Sequence, residues 1–203
     1  PPPLVLGIFQ GYCGSCWAFS ATEQIESDYW IASGNETILS PQQITSCDKT
    51  SFGCNGGLTE RAYEYVIRAG GIDSDASYPY TSGAAGVTGQ CKATSPVVTI
   101  TGYKTVSSSA SGESAMASYI AETGPLSICV DAQTGWQTYS SGVLTKCGQS
   151  VDHCVQAVGL DTAAATPYWI VRNSWGTTWG QAGYIYLEYG VNLCNLASDA
   201  TYV

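Results

Sequence analysis

Three residues of this chain have the types needed for covalent chemistry on a carbonyl. Cys16 stands in Gln10-Gly11-Tyr12-Cys13-Gly14-Ser15-Cys16-Trp17, His153 in Val151-Asp152-His153-Cys154, and Asn173 in Arg172-Asn173-Ser174-Trp175-Gly176. A thiol is a nucleophile only as the thiolate, and an adjacent imidazole can take its proton and return it to a leaving group. An amide oxygen can hold the second ring N–H and so fix the orientation of the imidazole. His153 is the single histidine of the chain, so any imidazole chemistry must use it.

Each residue also has a plainer reading. A cysteine in a chain of this type is usually half of a disulfide, and Cys13-Gly14-Ser15-Cys16 is also a C-x-x-C of the redox kind. No βαβ pattern surrounds it, and Trp follows the motif rather than preceding it, which disfavours the redox pair. A zinc site drawn from nine cysteines and one histidine lacks a second C-x-x-C and has irregular spacings, so no metal is expected.

Taken together, the Cys16 context, His153 and Asn173-Ser174-Trp175-Gly176 closely resemble the papain-like cysteine proteases in their cathepsin L-like form. The resemblance runs from Gln10 to Val203. It implies Cys16 as nucleophile, His153 as acid and base, Asn173 as orienting group, Gln10 as oxyanion donor and Trp175 as a cover over the His–Asn bond. It implies peptide binding by the glycine turn Gly56-Gly57. It also implies a pocket for the substrate residue second upstream of the cut, formed by Leu58, Thr59, Cys129, Val151, Cys154 and Asp199, with Asp152 and Trp175 as further substrate-binding residues. An ionised Asp199 would let that pocket take Arg as well as bulky apolar side chains. The implied disulfides are Cys13–Cys54, Cys47–Cys91 and Cys147–Cys194. Cys129 and Cys154 are left as either a fourth bridge or two buried thiols. No long insertion and no second histidine block the binding region, so cleavage within chains is expected rather than at their ends. The alternative is a catalytically silent relative that binds peptides or inhibitors. Propeptide and cystatin-like inhibitors are implied partners, no cofactor is implied, and a monomer is expected.

The elements that must position these residues follow from periodicity. Apolar Ala18, Ala21, Ile25 and Tyr29 recur at intervals of three and four, predicting a helix opened by Cys16. Ser40-Pro41-Gln42-Gln43 has the form of a capping box with proline at the first helical position, so a short helix should run toward Cys47. A third helix is expected over 60–69, with Ala62, Val66 and Ala69 on one face and Gly70-Gly71 as its stop. In the second half, 114–122 reads as an isolated helix ended by Gly124-Pro125. Runs at 97–103, 126–131, 155–160, 168–173 and 184–189 read as strands. The fold class is therefore α+β. With the resemblance, it is a papain-like two-lobe fold, with a helical lobe over 1–103 carrying the nucleophile. An antiparallel, barrel-like β lobe over 104–203 would carry His153 and Asn173, with the active-site cleft between the two.

Composition narrows the setting. The net charge of −9 with only seven Lys and Arg argues against nucleic acid, whose binding depends on cations neutralising phosphate. Charged residues are 11% of the chain, about half the usual share of roughly 25%. No apolar run is long enough for a transmembrane span, and the opening Pro1-Pro2-Pro3-Leu4-Val5 lacks the features of a signal peptide, so a mature, processed form is expected. That opening also lacks the Asp-Trp pair usual for the family. Nine cysteines and the sequon Asn35-Glu36-Thr37 suit a secreted glycoprotein or a lysosome-like acidic compartment.

Overall fold

In a computed structural model the described residues are 9–92 and 94–203; the opening segment of residues 1–8 lies outside them. The chain forms two compact units, residues 9–104 with Val203, and residues 105–202.

The first unit is built on helices. α1 (Cys16–Ser33) starts at the predicted cysteine and ends where Gly34 takes a left-handed conformation and its N–H returns to Trp30 O. Its predicted apolar face is buried at Ala18, Ala21 and Ile25 and half-buried at Tyr29. α2 (Pro41–Cys47) has Ser40 as N-cap, accepting from the Gln43 N–H at 3.0 Å. Only this half of the capping box forms. The Gln43 side chain turns instead to the loop after the third helix, accepting from Asp73 N and donating to Gly71 O. α3 (Thr59–Arg68) buries Ala62, Tyr63 and Val66, with Glu60 in its first turn and Arg68 in its last, which suits the helix dipole. Gly71 closes it at φ 135°, and a side chain there would run into Val98 O. A short α4 (Ser82–Ala85), with no periodic signal to announce it, follows. Trp17, Ile25, Leu39, Ile44, Tyr63 and Ile72 form the centre of the core.

The second unit is built on one seven-stranded sheet. Its strands are β1 (Lys104–Ser107), β2 (Leu126–Val130), β3 (Val143–Leu144), β4 (His153–Asp161), β5 (Tyr168–Arg172), β6 (Tyr184–Glu188) and β7 (Ala200–Tyr202), in the order β1-β7-β2-β4-β5-β6-β3. Pairs β2–β4, β2–β7, β4–β5 and β5–β6 are antiparallel, as expected. The two-residue β3 is the exception and runs parallel to β6. α5 (Glu113–Glu122) precedes β2, and Met116 is its fully buried residue. The core holds Leu126, Ile128, Trp136, Trp169, Val171 and Ile185.

The strand expected over 97–103 does not form. Val98 makes one isolated bridge to Ile72, Val97 is exposed, and the first sheet strand begins at Lys104. The β-branched residues there cover the helical core: Val98 is part of it, and Ile100 and Tyr103 pack against it. β-propensity of this kind reports a half-buried extended surface, with or without a partner strand.

Four disulfides join Cys13–Cys54, Cys47–Cys91, Cys129–Cys154 and Cys147–Cys194. Of the two alternatives for Cys129 and Cys154, the structure has the bridge, between directly opposed positions of β2 and β4. Cys16 is the one cysteine outside these bonds. No helix among the described residues is long and apolar enough to cross a membrane, and no group of His, Cys, Asp and Glu among them forms a candidate metal site.

Candidate active site

Cys16 is the first residue of α1, where the unsatisfied N–H groups of the helix end concentrate positive charge. No acidic residue lies in the first turn to oppose that field. The preceding segment is pinned. The Cys13–Cys54 bridge and the bond from Gly14 N to Cys54 O hold it against the loop 53–57. Trp17 Nε1 donates to Gly53 O, and Gly57 lies flat on the Trp17 ring, so closely that a Cβ would fall 2.4 Å from it. Glycine is required there for packing. Gly56 is required for its backbone, at φ 113°, and has open space above it. Gln10 is nearly buried and donates from Nε2 to Cys13 O at 3.0 Å.

In the other unit, His153 opens β4 and is buried. Its Nε2 lies 2.7 Å from Asn173 Oδ1, and Asn173 immediately follows β5. The Ser174 backbone N–H, which can only donate, lies 2.8 Å from the same Oδ1. That fixes the amide orientation, so Nε2 must carry the hydrogen and donate it. Nδ1 is then the ring nitrogen left for proton exchange. Trp175 lies over the imidazole, with ring centroids 5.1 Å apart. Trp136 meets it edge-on at 5.9 Å. Trp136 had no motif or spacing to single it out, yet it is fully buried and stacks on Trp179, whose Nε1 donates to Trp136 O. Trp175 and Trp136 thus flank the imidazole with apolar surface, backed by Trp179, and exclusion of water strengthens the His–Asn bond.

The residues assigned to substrate binding fall into two kinds, accessible and buried. Leu58, Val151 and Asp152 are exposed, and Asp199 and Trp175 are half-buried. Thr59 is fully buried with its hydroxyl turned to Glu60, so it supports the start of α3 and presents no surface. Cys129 and Cys154 are buried in their bridge. The Asp199 backbone O accepts from Cys129 N, which ties that residue to the bridged strand. Asn35 is exposed just past the end of α1, open to glycosylation.

Residues 8–203 match the papain family cysteine protease profile. Cysteine proteinase 2 of Zea mays is 40% identical over 200 residues, covering 95% of this chain and 54% of that protein. Cysteine proteinase A of Leishmania mexicana is 44% identical over 192 residues, covering 92% and 52%. The chain therefore spans about half the length of the curated relatives it matches. Among solved structures, the bromelain protease of Ananas comosus in complex with the E64 inhibitor superposes with a TM-score of 0.87 at 38% identity, covering 98% of this chain and 93% of that one. The proform of the ragweed pollen allergen Amb a 11, a cysteine protease, gives 0.89 at 37% identity, covering 98% and 61%. A family profile spanning nearly the whole chain, relatives at 40% identity or more and the shared fold agree with the thiol, imidazole and amide described above: the chain belongs to the papain family of cysteine proteases.

Proposed function

We propose that this chain is the catalytic part of a cysteine endopeptidase. The observation that carries the reading is the His153–Asn173 bond, because it leaves one ring nitrogen, Nδ1, to exchange a proton with Cys16. Transfer of the thiol proton to Nδ1 gives a thiolate and an imidazolium, a state favoured at Cys16 by the α1 terminus. The thiolate attacks the peptide carbonyl carbon, and charge moves to the carbonyl oxygen. Gln10 Nε2 has two hydrogens, one of them on Cys13 O, and the second is the proposed donor to that oxyanion, together with the Cys16 backbone N–H. Collapse expels the amine, which takes its proton from His153, and leaves a thioester on Cys16. His153 then removes a proton from water, the hydroxide attacks the thioester, and the acid product departs as the thiolate reforms.

The substrates are peptides and proteins, bound in extended form along the open backbone of Gly56. The residue second upstream of the cut is bulky and apolar, with Arg also accepted where Asp199 is ionised. Propeptide and cystatin-like inhibitors are the expected partners of a monomeric enzyme. Four disulfides and the exposed Asn35 sequon favour a secreted or lysosome-like acidic setting.

The test is hydrolysis of two fluorogenic dipeptides, with Phe or Arg at that upstream position, from pH 4 to 8 under mild reductant. Cleavage that disappears in Cys16→Ser supports the reading, and an Arg-to-Phe ratio that falls in Asp199→Ala supports the pocket. A folded protein whose Cys16 is alkylated normally but which cleaves neither substrate is instead a silent, peptide-binding relative.

A further inference from the structure

Ser15 is the N-cap of the helix that carries the nucleophile, and serine at that position normally accepts a hydrogen bond from the first-turn N–H groups. Here its side chain makes no such bond. Its hydroxyl lies 2.7 Å from the phenol oxygen of Tyr80. The Tyr80 hydroxyl in turn lies 2.8 Å from the backbone carbonyl oxygen of Gln10. A carbonyl cannot donate, so the single phenol hydrogen goes to Gln10 and Ser15 must donate to Tyr80. The direction of both bonds is thereby fixed.

Tyr80 and the segment it bonds are held from several sides. The Tyr80 ring meets Phe19 of α1 edge-on, with centroids 4.7 Å apart. Gly83 has room for no side chain between Gln10 O and the Tyr80 ring, where a Cβ would stand 2.8 Å from each. Tyr12 N donates to Gly83 O, which clamps the 10–12 segment onto the same turn. Burial raises the phenol pKa above its usual value, outweighing the lowering by the Ser15 hydrogen bond, and the charge of Cys16 adds a lesser rise, so the hydroxyl keeps its hydrogen through the working pH range.

Resting on the endopeptidase reading, we propose that Tyr80 is a positioning residue for the reaction. One hydroxyl fixes the oxyanion donor Gln10 by its backbone and holds the Ser15 hydroxyl away from the end of α1, leaving the helix field to the Cys16 thiolate. It touches no substrate, and its effect passes through Gln10 and Ser15.

Tyr80→Phe keeps the ring against Phe19 and removes only the hydroxyl. The expected result is a kcat lowered about tenfold with KM little changed, since a displaced oxyanion donor is felt only in the transition state. The released Ser15 hydroxyl should cap the helix, so the acid limb of Cys16 alkylation by iodoacetamide moves up by about half a pH unit. Adding Ser15→Ala to Tyr80→Phe should return that limb to its original place while the loss in kcat persists. Ser15→Ala alone should leave the limb where it is, because the hydroxyl was never a cap. A limb that moves to lower pH in Ser15→Ala would overturn the proposal even where Tyr80→Phe does not fold. Wild-type kcat and alkylation profile in a folded Tyr80→Phe would also overturn it and reduce the tyrosine to packing. Alkylation needs no substrate, so a wild-type chain that cleaves nothing would refute the endopeptidase reading while the Ser15 part of the proposal is still decided.

Discussion

Asp28 contributes stability to the fold in acid that it loses at neutral pH. It lies on α1 and accepts from Gln24 Nε2 at 3.0 Å and from the Val203 N–H at 2.9 Å. It also borders a cavity of about 230 Å³ walled by Ile25, Tyr29, Val98 and Ile100. Burial there pushes its pKa up from 3.8 to about 6, because loss of water outweighs the two donors that favour the charged form. A folded-state pKa above the unfolded value means that the native state binds the proton more tightly. The stabilisation is complete below pH 3.8 and is lost as pH rises through about 6. Above pH 7 the ionised carboxylate costs the fold about 3 kcal/mol relative to the protonated one. Asp28→Asn copies the protonated form at every pH. With an unfolding slope of about 2 kcal/mol per molar urea, the substitution should raise the urea midpoint by roughly 1.5 M at pH 8 and leave it unchanged at pH 3.5. Midpoints would be followed by tryptophan fluorescence with Cys16 alkylated, to prevent self-cleavage. Equal pH dependence in the two proteins would refute the reasoning, since the carboxylate would then titrate alike folded and unfolded.

Thiol titration in denaturant should find one thiol per chain before reduction and nine after it, and three before reduction would exclude the Cys129–Cys154 bridge. Replacing both of those cysteines by alanine should lower stability by about 3.5 kcal/mol, the loop-closure value for a separation of 25 residues, measured by urea unfolding. Gly57→Ala should cost about 1–3 kcal/mol, seen in the same assay, because the new Cβ has only the Trp17 ring to move. Asn173→Ala should lower kcat about a hundredfold and broaden the pH profile's acid limb, because His153 Nε2 loses the acceptor that selects its tautomer; unchanged kcat on a fluorogenic dipeptide would contradict that role.

The readable parts of this fold are those with a short-range physical code. The start of α1 followed from apolar spacing after Gly14-Ser15, and α2 from the serine and proline that satisfy a helix end. β2, β4, β5 and β6 followed from runs of β-branched and aromatic residues, because all four are central strands buried on at least one face. The sequence 97–103 has the same composition and no partner strand, so composition alone misled. β3 and β7 are two and three residues long, too short for any period to register. The thiol, imidazole and amide were legible because each stands in a distinctive local context. Trp136 was not, because its importance lies in what it touches.

Single polar side chains do much of the remaining positioning, and local sequence hides them. Glu113 at the start of α5 accepts from Trp169 Nε1, Gly190 N and Asn192 N, which anchors a loop about 80 residues away where Asn192, Cys194 and Asn195 all adopt positive φ. Gln42 does the same for α4, accepting from Thr81 N and Ser82 N and donating to Ser82 Oγ. Gln43 leaves its half of the capping box to hold Gly71 and Asp73, and Ser15 leaves its cap to meet Tyr80. In the last two cases a residue that local rules assign to a helix end serves a distant loop instead. The local bond is worth about 1 kcal/mol, and a buried donor or acceptor left unmet elsewhere costs about 1–3 kcal/mol, so the distant demand wins. A cap residue whose side chain has gone elsewhere therefore marks the place where long-range structure overrides the local code. In this chain one such place lies directly beside the nucleophile.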